Sequence, residues 1–85
     1  MTIDEEEARE VMLNDIWDAI ENWPLRFPEP VSVAKCILAY LERELKRLPG
    51  EDELEDWRLV EAAYRAGCVD EKNHWQLLEW LGPED

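Results

Sequence analysis

Over about the first twenty residues of the chain, apolar side chains recur with the spacing of an α-helix, and acidic side chains occupy many of the positions between them. On a helical wheel the apolar side chains share one side: Ala8, Met12, Ile16, Ala19, Ile20 and Trp23, with Leu13 and Trp17 at its edge. The opposite side is polar and mainly acidic: Glu7, Glu10, Asn14, Asp18 and Glu21. This pattern predicts an amphipathic helix over residues 3–22, with its apolar side in a core and its acidic side facing water or a cationic partner.

The start of this first helix carries two further signals. Thr2 and Glu5 have the spacing of a capping box, in which the hydroxyl and the carboxylate each accept a backbone N–H. Asp4 and the three glutamates after it crowd the first turn, where the helix dipole favours negative charge. The segment holds eight acids against one base, Arg9, so its charge is far from balanced.

Three prolines between Trp23 and Pro30 (WPLRFPEP) exclude a regular helix in this joint. The joint nevertheless carries large apolar side chains at Trp23, Leu25 and Phe27. We favour the interpretation that they tuck into the core and pin the first helix to the second, because a small bundle needs every large side chain. The other interpretation is a preformed docking segment with Arg26 at its tip.

The second predicted helix spans residues 31–48, with Ser32 as its N-cap. Its apolar stripe consists of Val33, Ile37, Leu41 and Leu48, flanked by Ala34, Leu38 and Leu45. Its basic residues lie away from that stripe: Lys35, Arg43, Lys46 and Arg47. Those concentrated near the end of the helix suit the negative end of its dipole. We also expect the basic residues to face the acidic side of the first helix.

Two shorter helices complete the pattern. Pro49-Gly50 breaks the chain, and a third helix is predicted over residues 53–66, capped by Asp52 and stopped by Gly67. Its apolar face carries Trp57, Val60, Ala63 and Tyr64, and Glu61 with Arg65 forms an i,i+4 pair.

The fourth helix is predicted over residues 71–81, capped by Asp70 and closed by Gly82-Pro83. Its inward side carries His74, Leu77, Leu78 and Leu81, while Trp75 points away and Trp80 lies at the margin.

These elements predict an all-α protein, a compact bundle of about four helices over residues 3–22, 31–48, 53–66 and 71–81. No strand alternation, internal repeat or low-complexity linker interrupts the pattern. At 85 residues, with 46% apolar side chains and five tryptophans, the chain is expected to form a single acidic helical domain over residues 1–85.

The net charge of −13 narrows the classes of partner. Nucleic acid and anionic membranes repel such a chain, so we expect neither as a direct partner and favour a basic protein surface. The charge exceeds the magnitude of roughly 2–8 that solubility asks of a small domain. The sequence shows no basic leader before an apolar run and no apolar run of membrane-spanning length, so we expect a soluble protein in the reducing cytoplasm.

Candidate catalytic and metal-binding groups are few. Cys36 and Cys68 lack a CxxC spacing, and a Cys–His pair with His74 would need the fold to assemble it. Glu71-x-x-His74 has the spacing of a di-metal carboxylate site, but such sites need a second pair and two more glutamates. We therefore interpret His74 as a partly buried, hydrogen-bonded residue and expect no enzyme activity, no metal and no cofactor.

The leading hypothesis is a small acidic inhibitor that sequesters a basic nucleic-acid-handling protein, in the manner of anti-CRISPR, anti-restriction, nuclease-immunity or antitoxin proteins. Carboxylates along a helix imitate the charge of a nucleic-acid strand to a limited extent. Seven side chains are candidates for the contact: Asp4, Glu7, Glu10, Trp17, Asp18, Glu21 and Trp75. The tryptophans would be the desolvated anchors of the interface.

Two alternatives remain open. In the first, the protein is a helical adaptor or regulatory subunit that binds through the apolar joint, Trp75 and Trp80, or pairs with itself as a homodimer. In the second, it is an enzyme or metal protein that uses Glu71, His74 and the cysteines.

Overall fold

A computed structural model describes residues 4–24, 27 and 29–82, with only the backbone of residue 51. It contains four α-helices, α1 (Glu5–Glu21), α2 (Pro30–Leu45), α3 (Asp56–Arg65) and α4 (Glu71–Leu81), and a short 3₁₀ helix, Glu51–Leu54. The described part of the chain contains no strand. The predicted all-α bundle of about four helices is confirmed.

Helix α1 begins two residues later than predicted. Its N-cap is Asp4, whose carboxylate accepts a hydrogen bond from the backbone N–H of Glu6 at 3.3 Å. The predicted cap, Thr2, lies outside the described residues. The helix ends at Glu21, and the Asn22 side-chain amide donates to the Asp18 carbonyl at 2.8 Å, which satisfies one of the last free carbonyls.

The joint between α1 and α2 contributes to the core. Trp23 is only 5% exposed, and its ring meets the half-buried Phe27 ring edge-on, with the centroids 5.8 Å apart. The core interpretation is therefore confirmed for these two side chains. Leu25 and Arg26 lie outside the described residues, so the docking interpretation of that part stays a prediction.

Helix α2 starts and ends earlier than predicted. Pro30 occupies its first turn and Glu29 is its N-cap, so the prediction of Ser32 as the cap was wrong. The Ser32 hydroxyl instead donates to the Glu29 carboxylate at 3.1 Å. The helix stops at Leu45, three residues early, because Lys46 adopts a left-handed conformation with φ 56°.

The segment before α3 folds as a 3₁₀ helix and not as the predicted start of a long third helix. The Glu53 carboxylate accepts from the Gly50 N–H at 2.9 Å and from Arg47 at 2.8 Å, while the Glu53 N–H donates to the Gly50 carbonyl at 3.0 Å. These reciprocal bonds hold the tight turn, so α3 begins at Asp56. Its N-cap is Glu55, and the prediction of Asp52 in that role was wrong.

The inward face of α3 is rotated relative to the prediction. The structure buries Leu59, Val60, Ala62 and Ala63, whereas Trp57 is half-buried and Tyr64 is 38% exposed. The predicted stop at Gly67 is confirmed, since its φ is 83° and the Cys68 N–H donates to the Ala63 carbonyl at 2.8 Å.

Helix α4 matches its prediction in both ends and orientation. Asp70 caps it by accepting from the Asn73 N–H at 2.7 Å, and its buried residues are His74 and Leu77. The core joins all four helices in sequence, because α1 packs on α2, α2 on α3, and α3 on α4. Buried apolar residues form this core: Ile16, Ile20, Trp23, Ala34, Ile37, Leu38, Leu59, Val60, Ala62, Ala63, Val69 and Leu77. No described helix combines the length and the apolar character needed to cross a bilayer.

Candidate protein-binding surfaces

Four carboxylates of α1 lie in one exposed row, which we call the acidic stripe: Glu7, Glu10, Asp18 and Glu21. With Asn14 in its middle, the row extends about 21 Å along the helix at 1.5 Å per residue. All seven predicted partner-binding side chains are exposed: Asp4, Glu7, Glu10, Trp17, Asp18, Glu21 and Trp75. Asp4 has a structural task as well, because its carboxylate caps α1.

The acids of α1 and its cap have no cationic partner among the described side chains. The ion pairs within 4.0 Å in the described part of the chain are Arg9–Glu42, Arg47–Glu53, Arg65–Glu61 and His74–Glu61. None of these pairs joins a basic residue of α2 to an acid of α1. The basic residues of this region nevertheless lie near those acids, as expected, since Lys35 lines a pocket with Glu10, and Lys46 and Arg47 line one with Glu5. The cross-helix pair runs the other way, because Arg9 of α1 donates to Glu42 of α2 at 2.7 Å.

The position of the acidic stripe along α1 is unfavourable at one end. Asp18 and Glu21 lie in the last turn, which holds no basic residue. The negative end of the helix dipole repels carboxylates there, at a cost of typically 0.3–1 kcal/mol each. The acids of the first turn, Glu5 to Glu7, are stabilised by the same dipole. The C-terminal end of the stripe, at Asp18 and Glu21, therefore carries charge that the helix itself does not favour.

Apolar side chains border the acidic stripe on both sides. Trp17 is 36% exposed along one flank, and Val11 is 52% exposed along the other. A surface pocket of about 270 Å³ opens beside Val11, lined by Glu7, Ala8, Val11 and Met12. Sequence reasoning identified Trp17 but missed Val11, although a valine on the polar side of the wheel was the available signal.

Trp75 lies on the other pair of helices. It projects from α4, which packs on α3, whereas the acidic stripe lies on α1, which packs on α2. Trp75 is 64% exposed, and its ring centroid is 5.5 Å from that of His74, which stacks on Tyr64 at 4.1 Å. Trp80 of the same helix is 50% exposed. The seven predicted residues thus divide into a set of six around α1 and Trp75 in an aromatic cluster on α3 and α4.

His74 is a buried, hydrogen-bonded residue, as interpreted from the sequence. It is 6% exposed, and its Nε2 lies 3.3 Å from a Glu61 carboxylate oxygen, which accepts the imidazole N–H. Arg65 approaches the other oxygen of Glu61 at 4.0 Å. His74 is thus paired with Glu61, and Glu71 is exposed. No three His, Cys, Asp or Glu side chains converge as metal ligands in the described residues.

A groove between α2 and α3 has a different character, and we call it the arginine groove. It has a volume of about 480 Å³ and is lined by Tyr40, Leu41, Glu44, Trp57, Arg58, Glu61, Ala62 and Arg65. Arg43 lies over the Tyr40 ring at 5.5 Å and Arg58 over the Trp57 ring at 5.1 Å. A hydrogen bond with Tyr40 raises the pKa of Arg65. The arginines and glutamates that line the groove are equal in number, so its lining carries no net charge.

The two cysteines meet each other and not the histidine. Their Sγ atoms are 2.6 Å apart, although 32 positions separate them in the chain. Burial, helped by the hydrogen bond with Cys36, raises the pKa of Cys68 to about 12. The sequence offered no local spacing that predicts this contact.

Comparisons of this chain with family profiles, with curated proteins and with solved structures found no match.

Proposed function

We propose that this protein is a non-enzymatic binding protein that sequesters a basic, nucleic-acid-handling protein through the acidic stripe. One observation carries the proposal. The stripe is exposed along about four turns of α1, and none of its carboxylates has a cationic partner among the described residues.

The energetics of α1 support a role for this charge outside the fold. Asp18 and Glu21 occupy the end of the helix where carboxylates are disfavoured, and no basic residue in that turn offsets them. Charges that reduce stability are typical of functional surfaces, where stability is exchanged for activity. A partner that supplies Lys or Arg side chains relieves this repulsion on binding.

The flanks of the stripe supply the other half of an interface. Exposed charge steers a partner and determines its orientation, whereas most binding energy comes from a few desolvated aromatic or apolar anchors. Trp17 and Val11 lie where such anchors are needed, one on each side of the carboxylates. We assign Trp17 as the principal anchor and the carboxylates as the steering groups.

A partner that handles nucleic acid fits this arrangement best. Proteins that bind a phosphate backbone present rows of Lys and Arg in a groove, and a rigid acidic helix competes for those cations. The functional class is therefore that of anti-CRISPR, anti-restriction, nuclease-immunity or antitoxin inhibitors, with nucleic-acid mimicry limited to charge.

The test begins with capture of the partner from cells of the native host on the immobilised protein. Binding of the recovered partner is then measured for a variant that neutralises the stripe (Glu7→Gln, Glu10→Gln, Asp18→Asn, Glu21→Gln). A matched control removes four charges elsewhere (Asp52→Asn, Asp56→Asn, Glu71→Gln, Glu79→Gln). We expect the stripe variant to bind about 100-fold more weakly, roughly 0.7 kcal/mol per charge, and the control to lose less than about threefold.

Equal losses in the two variants would show that only net charge matters, and an unchanged stripe variant would eliminate the proposal.

Salt provides a second check on the wild-type protein. Raising NaCl from about 0.05 M to about 0.5 M should weaken binding at least about tenfold, because it shortens the Debye length to a few ångströms. Addition of the partner's nucleic acid should compete for the same site.

A second candidate function rests on the exposed aromatic side chains of α4. Trp75 and Trp80 are 64% and 50% exposed, which favours an adaptor or a homodimer that uses this helix. The joint contributes less to it than the sequence indicated, since Trp23 is buried and Phe27 half-buried. Sedimentation velocity of the wild type and of Trp75→Ala separates the two: a dimer lost on substitution supports this second function.

A further inference from the structure

Cys36 and Cys68 form a thiol pair whose position is determined by two rigid elements. Cys36 lies in the middle of α2, and Cys68 follows the turn that ends α3. Their Sγ atoms are 2.6 Å apart, and the Cys36 thiol also lies 3.8 Å from the Ala66 carbonyl oxygen. Both side chains are partly buried, so each retains some contact with solvent.

The turn at the end of α3 directs Cys68 back towards α2. Gly67 adopts φ 83°, a backbone conformation that residues with a Cβ atom rarely adopt. The Gly67 N–H donates to the Tyr64 carbonyl at 3.1 Å and the Cys68 N–H donates to the Ala63 carbonyl at 2.8 Å. This hydrogen-bonded cap holds the Cys68 backbone in place, so its contact with Cys36 is built into the fold.

We propose that Cys36 and Cys68 are an oxidation site that closes an intramolecular disulfide between α2 and the turn after α3. The oxidant is a low-molecular-weight disulfide such as oxidised glutathione. This inference concerns a part of the molecule remote in sequence from the acidic stripe, and it does not depend on the proposed function.

The chemistry proceeds by two exchanges. One cysteine loses its proton to solvent, and its thiolate attacks a sulfur of oxidised glutathione, which forms a mixed disulfide and releases one glutathione thiolate. The second cysteine then loses its proton and attacks the protein-bound sulfur, which closes the Cys36–Cys68 bond and releases the second glutathione. Both leaving thiolates take up protons. The protein loses two protons and two electrons, and oxidised glutathione takes up both to become two thiols.

The environment of the two thiols determines how fast the disulfide forms. Burial raises the pKa of Cys68 to about 12, so only a minute fraction of it is thiolate at neutral pH. We therefore expect the disulfide to close slowly at neutral pH and faster as the pH rises. Cys68 is the resolving thiol in this scheme, because its contact with Cys36 compensates for its low thiolate fraction.

The test treats the reduced full-length protein with oxidised glutathione at mildly alkaline pH and follows intact mass. We expect wild-type protein to lose the mass of two hydrogens, and a non-reducing peptide map to link the peptides that contain Cys36 and Cys68. In Cys68→Ala the reaction should stop at one attached glutathione, and in Cys36→Ala, which keeps only the resolving thiol, it should be much slower than in the wild type. Wild-type protein that accumulates a mixed disulfide, or that links two chains, would overturn the proposal.

Thermal unfolding gives a second measurement that does not depend on the variants. The oxidised protein should unfold about 10 °C or more above the reduced protein, because a closed ring of this length restricts the unfolded chain. Dithiothreitol should remove this difference by reducing the disulfide. An oxidised protein that unfolds at the same temperature as the reduced one, or below it, would contradict a disulfide compatible with this fold.

Discussion

The acids on α1 and the acids around α3 carry the same charge in very different surroundings. Around α3, Glu61 contacts His74 and Arg65, and Glu53 accepts from Arg47 and Gly50. On α1, the acidic stripe has no cationic contact in the described part of the chain. Acidic residues therefore take part in the contacts of the fold around α3, whereas on α1 they carry negative charge without a described cationic contact. This difference separates acids that hold the fold from acids available to a partner.

The largest effect that tests this comparison comes from two neighbouring residues of α1. Ile16 is fully buried and Trp17 is 36% exposed. Ile16→Ala should lower the free energy of unfolding by about 2–5 kcal/mol, because it leaves a cavity in the core. Trp17→Ala should lower it by less than Ile16→Ala does, because 36% of the Trp17 surface is already exposed to solvent in the folded protein. Urea titration measures both, and an equal loss in the two variants would remove Trp17 from the binding surface.

The next effect compares one acid from each region. Glu61→Ala removes the partner of the buried His74, so it should cost about 1–3 kcal/mol of stability. Glu10→Ala, in the acidic stripe, should change stability by less than about 0.5 kcal/mol. Both values come from denaturant titration at neutral pH. If Glu10→Ala proved as costly as Glu61→Ala, the stripe would be part of the structural framework and the contrast would fail.

A smaller effect of opposite sign is expected at the end of α1. The double variant Asp18→Asn, Glu21→Gln relieves repulsion from the helix dipole and between the two carboxylates, so it should raise the free energy of unfolding by about 0.5–1 kcal/mol. Glu6→Gln, in the first turn, serves as the control and should lower it slightly. Thermal unfolding at low ionic strength resolves the difference. A loss of stability in the double variant would mean that these carboxylates have a partner within the fold.

The smallest effect is a pH dependence centred on Glu53. Hydrogen bonds from Arg47 and from the Gly50 N–H hold the pKa of Glu53 below its usual range. A carboxylate with a lowered pKa in the folded state adds stability that is present above its unfolded pKa and is lost as the pH falls through its folded pKa. NMR titration of the Glu53 carboxyl should therefore show a rise in its pKa when Arg47→Gln is introduced. An unchanged pKa would mean that this ion pair does not form in solution.

Local patterns predicted most of the secondary structure. The period of apolar residues located four helices, and Asp70, Gly67 and Gly82 marked ends that the structure retains. The largest errors in the helix bounds lie between residues 46 and 55, where the Lys46 left-handed turn and the Glu53 hydrogen bonds shortened α2 and delayed α3. Gly50 and Glu53 have the spacing of a capping box, so this helix start had a local signal. Helix propensity alone did not distinguish it from the start of a longer third helix.

The candidate surface was predictable in part for the same reason. The wheel of α1 placed the acidic stripe and Trp17 on the exposed side, because burial of an isolated amphipathic helix follows its own periodicity. Val11 lies on the polar side of the same wheel, so its exposure was predictable as well. The wheel did not reveal that Trp75 belongs to a different helix pair, since that separation depends on the order in which the helices pack.

The sequence by itself determined the helical class, the amphipathic sides of the helices and the excess of negative charge, because each depends on neighbours along the chain. Only the tertiary structure determined which acidic side chains have a partner. It joined Glu61 to His74, turned Arg9 towards Glu42 and brought Cys36 to Cys68, all through contacts between helices. It left the acidic stripe without a described cationic partner. Long-range contacts have no local signature, so the distinction between structural and surplus charge appears only in the folded molecule.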